Sequence, residues 1–111
     1  MITNALTVDV EEYYHAAIFR RGTSSATSPN FESRVEASMD LLLALLKLYR
    51  AKATFFIVGE VAAAHPAVVR KIAGECHEVA CHGDRHDNVH TLTAREFRAD
   101  VRRAKAQIED I

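Results

Sequence analysis

The chain is short of cysteine, of long apolar runs and of excess charge, and each shortage removes a class of protein. Two cysteines in 111 residues, Cys76 and Cys81, are too few for a disulfide framework. Lying close together around an expected strand, they read as reduced and buried rather than bridged. The longest apolar stretch, Leu41 to Leu48, is interrupted by Lys47, and it falls well short of the roughly 20 residues that span a bilayer. A formal net charge of -1 leaves no general field to draw the chain to nucleic acid or anionic lipid. The N-terminus has neither the basic region nor the cleavage site of a signal peptide, so a soluble, cytoplasmic protein is expected. No repeat or low-complexity tract is present.

What is present is ordinary globular material, 49% apolar and 26% charged, enough for one small domain with its own core. Ala5 to Val10 is β-branched at Thr7, Val8 and Val10 and predicts a first strand. Residues 12–19 can form a helical turn, and residues 20–30 (RRGTSSATSPN) are Ser/Thr/Gly/Pro-rich and predict a surface loop. Ser33 and Glu36 have capping-box spacing ahead of a helix whose Val35, Met39, Leu42, Leu43, Leu46 and Tyr49 recur at helical period. ATFFIVG, residues 53–59, is the near-continuous apolar run of a strand buried on both faces. A helix with a break at Pro66 follows, running through Val68, Val69 and Ile72 to about Glu75. HEVAC, residues 77–81, predicts a third strand. Thr93 and Glu96 then open a last helix with Phe97, Val101, Ala104 and Ile108 on one face. The β-α-β-α-β-α order predicts an α/β fold with a parallel sheet.

The chemistry concentrates at two strand ends. Asp9 and Glu11 are two apart and share one side of the first strand, at the carboxyl end where parallel α/β folds place their sites. The third strand runs directly into His82, with His86 four residues on. A loop that coils there would project both imidazoles onto one face, as needed to grip one metal ion, and Gly83 would permit the sharp turn. A carboxylate with two imidazoles leaves positions open, the pattern of a catalytic zinc, and a second carboxylate beside it is a candidate general base. The plainer alternatives are a solvated loop acid at Glu11, an Asp9 that accepts a backbone hydrogen bond, and a loop that is simply His-rich, since His15, His65, His77 and His90 also occur.

LTVDVE, then ATFFIVGEVAAAHPAVVRKIAGECHEVACHGDRH, then LTAREFRADVRRAKAQIE resemble the polysaccharide deacetylase family (carbohydrate esterase family 4, the NodB-homology domain). The TFF strand, the HP step and the closing HxxxH stand in the family's order. DVEEYYH, in place of two adjacent acids, resembles the subgroup associated with exopolysaccharide and exosortase-type gene clusters. The resemblance implies a metal-dependent hydrolase that removes N-acetyl groups from an amino-sugar polysaccharide or oligosaccharide. It places the catalytic base on Asp9 and the metal-binding histidines on His82 and His86. The metal-binding acid, which in the family follows the base directly, goes to Glu11 because Val10 holds that place. The implied ion is divalent, zinc first, with cobalt or nickel as substitutes. Gly83 stands where a hydroxyl residue is usual, and Cys76 where glycine is common. The family's arginine–proline segment, base-orienting acid and general-acid histidine are not among these residues. Residues 1–111 therefore resemble the N-terminal part of one deacetylase domain: three βα units of an incomplete parallel (β/α) barrel, whose complete form takes roughly 200 residues or more. Open sheet edges would favour self-association. The competing expectations are a non-catalytic or merely metal-binding fragment, and a cyclic-amide hydrolase on the same fold.

Overall fold

The computed structural model describes residues 1–16 and 31–111. The loop expected at residues 20–30 and the end of the turn expected at 12–19 lie outside the described residues. The elements are β1 (Thr7–Val10), a short 3-10 turn (Tyr13–His15), α1 (Val35–Leu48), β2 (Thr54–Ile57), α2 (Gly59–Ala64), α3 (Pro66–Gly74), β3 (Glu78–Cys81), a second 3-10 turn (Val89–Thr91) and α4 (Ala94–Glu109). The sheet is parallel in the order β1-β2-β3. This is the expected α/β architecture of three βα units.

Register and side-chain parity divide the sheet into two unlike faces. Val8, Phe55 and Val79 stand in one row, and Val10, Ile57 and Cys81 in another. All six point to the helix side, since alternate strand residues share a face. Val10, Phe55 and Ile57 are fully buried there against Val35, Met39, Leu43 and Leu46 of α1 and Val68, Val69 and Ile72 of α3. The opposite face carries Asp9, Phe56 and Ala80 in one row. It is only partly covered: Asp9 is exposed and Phe56 and Ala80 are half-buried. The core helices thus hold one face rigid and leave the other to present polar groups.

Several local expectations are corrected. Strand β1 begins at Thr7, not Ala5, and β3 at Glu78, not His77. The Ser33–Glu36 capping box does not form. Arg34 is the N-cap of α1, and the Ser33 hydroxyl donates instead to the buried carboxylate of Glu12, a stronger, charge-assisted partner. Tyr49, expected on the buried stripe, is exposed because α1 ends at Leu48 and the chain turns away at Arg50, where φ is 51°. Leu42 is only partly buried at the edge of that stripe. Phe97 is 43% exposed and lines an open groove with Val89, Leu92 and Val101. Val58 is buried, but as the N-cap of α2 rather than as a strand residue. Cys76 is exposed rather than buried, and both cysteines are free thiols. Pro66 at the first turn of α3 and the Thr93–Glu96 capping box of α4 are found as expected.

Candidate metal centre

The partly covered face of the sheet continues past the strand ends. Parity carries Asp9 to Glu11 and Ala80 to His82, so the acids and the first histidine leave the sheet on the same side. The sheet ladder sets their height: Val58 N–H donates to Val10 O at 3.1 Å and His82 N–H to Ile57 O at 2.9 Å. His86 arrives by a turn, not by the helical coil that i, i+4 spacing suggested. Gly83 takes φ 75° and His86 itself φ 57°, and these two left-handed residues fold the loop back toward β1. The His82 and His86 rings lie 5.0 Å apart. One donor atom from each of Glu11, His82 and His86 falls within 4.8 Å of the others.

The hydrogen bonds around His86 define what its second nitrogen does. Nδ1 lies 3.2 Å from the carbonyl oxygen of His15. A carbonyl can only accept, so Nδ1 carries a proton, and in the neutral form of the ring the lone pair is at Nε2. That nitrogen stands 2.9 Å from Glu11 Oε2, a buried atom with no other polar partner among the described residues. Two lone pairs so close repel unless a proton or a cation is shared between them. With His82 completing the trio, the donor set fits a small divalent cation with positions left open. Asp9 stands beside it: Oδ2 is 3.8 Å from His82 Nε2, and its side chain is 57% exposed. The structure therefore brings together all four residues singled out from the sequence, three as converging donors and the fourth at their edge.

Two residues that the sequence reading passed over support the trio. Glu12 is 2% exposed and accepts from the Ser33 hydroxyl and from Arg34 N–H at 3.1 Å, tying the residue after Glu11 to the start of α1. His15, 3% exposed, accepts the Glu12 N–H at Nδ1, 3.0 Å, and closes the turn whose carbonyl orients His86. Burial, then the charges of Glu12 and Glu60, push the Tyr14 phenol above its ordinary value, so it stays protonated at neutral pH. The signal for these roles was the run EEYYH following the first acid, but nothing local says which of its polar groups is buried.

The family model for polysaccharide deacetylases matches residues 22–111. The chain belongs to the polysaccharide deacetylase family. A Bacillus cereus peptidoglycan-N-acetylglucosamine deacetylase is 37% identical over 60 residues, covering 54% of this chain and 22% of that protein. Among solved structures, the peptidoglycan deacetylase PdaC from Bacillus subtilis superposes with a TM-score of 0.71 at 23% identity, over 96% of this chain and 42% of its own. A peptidoglycan N-acetylglucosamine deacetylase in complex with 4-naphthalen-1-yl-N-oxidanyl-benzamide gives a TM-score of 0.69 at 26% identity, over 96% and 39%. The chain thus spans less than half the length of each of these relatives, and its incomplete barrel agrees with that share. The deacetylase match begins after Asp9 and Glu11, so those two rest on the geometry above.

Proposed function

We propose that residues 1–111 are the N-terminal part of a metal-dependent deacetylase domain that removes N-acetyl groups from an amino-sugar polysaccharide. The observation that carries this is the convergence of Glu11, His82 and His86 donors, with the buried Glu11 Oε2 2.9 Å from His86 Nε2, at the sheet end of a polysaccharide deacetylase fold. Glu11, His82 and His86 are assigned as ligands of a divalent ion, zinc first, with cobalt or nickel able to replace it. Such an ion supplies Lewis-acid polarisation of the acetamide carbonyl and a more acidic water. Asp9 is assigned as general base: exposed on the open face beside the ligands, its carboxylate takes the proton of the attacking water. The His15 carbonyl holds the His86 tautomer that ligation requires. The acid that protonates the leaving amine lies outside these residues. The relatives' names as peptidoglycan N-acetylglucosamine deacetylases support an N-acetylated glycan, and the resemblance of DVEEYYH to the subgroup associated with exopolysaccharide gene clusters supports an exopolysaccharide.

Zinc content after chelator stripping and reloading tests the assignment. About one ion per chain is expected in the parent, and its loss in His82→Ala/His86→Ala. Equal retention by both would overturn the ligand set. Ligating imidazoles must be neutral, so retention should fall as the solution is acidified.

A further inference from the structure

Behind the histidine loop lies a buried polar cluster that the proposed mechanism does not use. Asp84, between His82 and His86, is 3% exposed, and Asp100 of α4 is 7% exposed. Both carbonyls of residues 83–84, and the N–H and carboxylate of Asp84, are tied to α2 and α4. Gly59 N–H donates to Gly83 O and Glu60 N–H to Asp84 O, each at 2.9 Å. Asp84 N–H donates to Asp100 Oδ2 at 3.0 Å. The Asp84 carboxylate accepts from Arg103 Nε at 2.9 Å. The acceptors around Gln107 orient its amide so that the nitrogen donates to Gly59 O at 2.8 Å and to Asp84 Oδ1 at 3.2 Å. The site has no slack, since a Cβ on Gly59 would stand 2.6 Å from Asp84 Oδ1 and 3.1 Å from the Ala104 Cα.

We infer that Asp84 is a positioning residue: clamped by Arg103, Gln107 and Asp100, it pre-sets the loop that aims His82 and His86 at a common ion. This inference rests on the ligand assignment above. Two buried carboxylates sharing one half-exposed guanidinium are a costly way to hold a loop, and well-packed apolar residues would stabilise it as well or better. What apolar packing cannot do is fix backbone direction at each N–H and C=O. That direction matters here, because the loop must carry a strained left-handed histidine whose ring has to meet two partners. Groups one shell behind metal ligands typically contribute 10- to 100-fold in metal affinity.

The test is the zinc dissociation constant of the 1–111 chain, read by competition with a chromophoric chelator, together with the visible spectrum of the cobalt(II) form. Asp84→Ala should weaken zinc by roughly 10- to 100-fold and change the cobalt band, which reports coordination geometry. Asp84→Asn and Arg103→Ala should give smaller losses, with Arg103→Lys nearer the parent; these three decide the matter if Asp84→Ala does not fold. Thr93→Ala destabilises the same helix from its far end and should leave both readouts unchanged, which separates positioning from general loss of stability. Parent-like affinity and spectrum in folded Asp84→Ala and Arg103→Ala, with His82→Ala still deficient, would overturn this inference and leave the ligand assignment standing. A parent that binds no zinc, or binds it equally after His82→Ala, would overturn both.

Discussion

Among the described residues, left-handed backbone falls on three that are not glycine, Arg50, Cys76 and His86, and at the last two it serves different ends. At Cys76 it serves only the end of a helix. The residue closes α3 in a Schellman arrangement: Cys76 N–H donates to Ala73 O at 2.9 Å and His77 N–H to Ile72 O at 3.3 Å, which requires the left-handed φ of 59°. Glycine is the usual residue there, as the family resemblance also indicated. Removing the Cβ relieves about 1–2 kcal/mol, and the freer unfolded chain takes back about 0.4–1 kcal/mol. Cys76→Gly should therefore stabilise by about 0.5–1 kcal/mol, read as a raised urea midpoint. A lowered midpoint would mean that the exposed thiol packs against something. At His86 the same strain aims a ring at Glu11, which fits backbone strain gathering at functional sites.

Each helix separates into a face that carries stability and a face that does not. In α1, Leu43 is 1% exposed and Leu45 is 51% exposed, two residues apart on a 100° step. Leu43→Ala should cost about 2–5 kcal/mol, whereas Leu45→Ala should stay within about 0.5 kcal/mol; chemical denaturation of the pair checks the helix phase. In α4, Thr93 Oγ accepts the Glu96 N–H at 3.3 Å while Glu96 Oε2 accepts the Thr93 N–H at 2.7 Å. Thr93→Ala should cost about 0.5–2 kcal/mol. The Thr93 hydroxyl, then the Thr93 N–H, hold the Glu96 carboxyl below its ordinary value. A depressed folded-state value means that the contribution is present above the unfolded value and is lost as pH falls through the folded one. Glu96→Gln should accordingly flatten the acid limb of the stability profile, by a small amount because the group is solvent-screened. An unchanged acid limb would show that the box does not persist in solution.

For the molecule as a whole, the decisive fact is that three parallel strands do not close. Among the described residues β1 and β3 are the sheet's outer strands, with unpaired backbone groups along their free sides, and such edges recruit other strands. Light scattering of the 12.4 kDa chain should show a dimer or larger species. The same incompleteness bears on turnover. The metal ligands and the base are assigned within this chain, but the leaving-group acid is not, and losing a general acid typically costs about 100- to 10,000-fold. Acetate release from N-acetylated chito-oligomers with added zinc or cobalt should be correspondingly feeble. Turnover like that of a complete enzyme, from a strictly monomeric sample, would contradict both expectations.

Periodicity and spacing were enough, by themselves, to determine the alternation of strands and helices, the buried stripe Val35–Met39–Leu43–Leu46, the shared side of Asp9 and Glu11, and the DxE and HxxxH pair as the place to look. These are local properties: a two-residue or 3.6-residue repeat is written into consecutive side chains. What only the tertiary structure decided is which polar groups lose their water. Glu12, His15, Asp84 and Asp100 look in sequence like any surface residue, and Ser33 looks like a helix cap. Their long-range partners lie 16 to 71 residues away, and a charged or polar group commits to a partner only once it is shut off from solvent. The same holds for the trio itself. Residue spacing proposed the His82–His86 pair, but the turn that makes the pair converge runs through φ 75° at Gly83 and φ 57° at His86. That turn is held by α2 and α4, not by the loop's own residues.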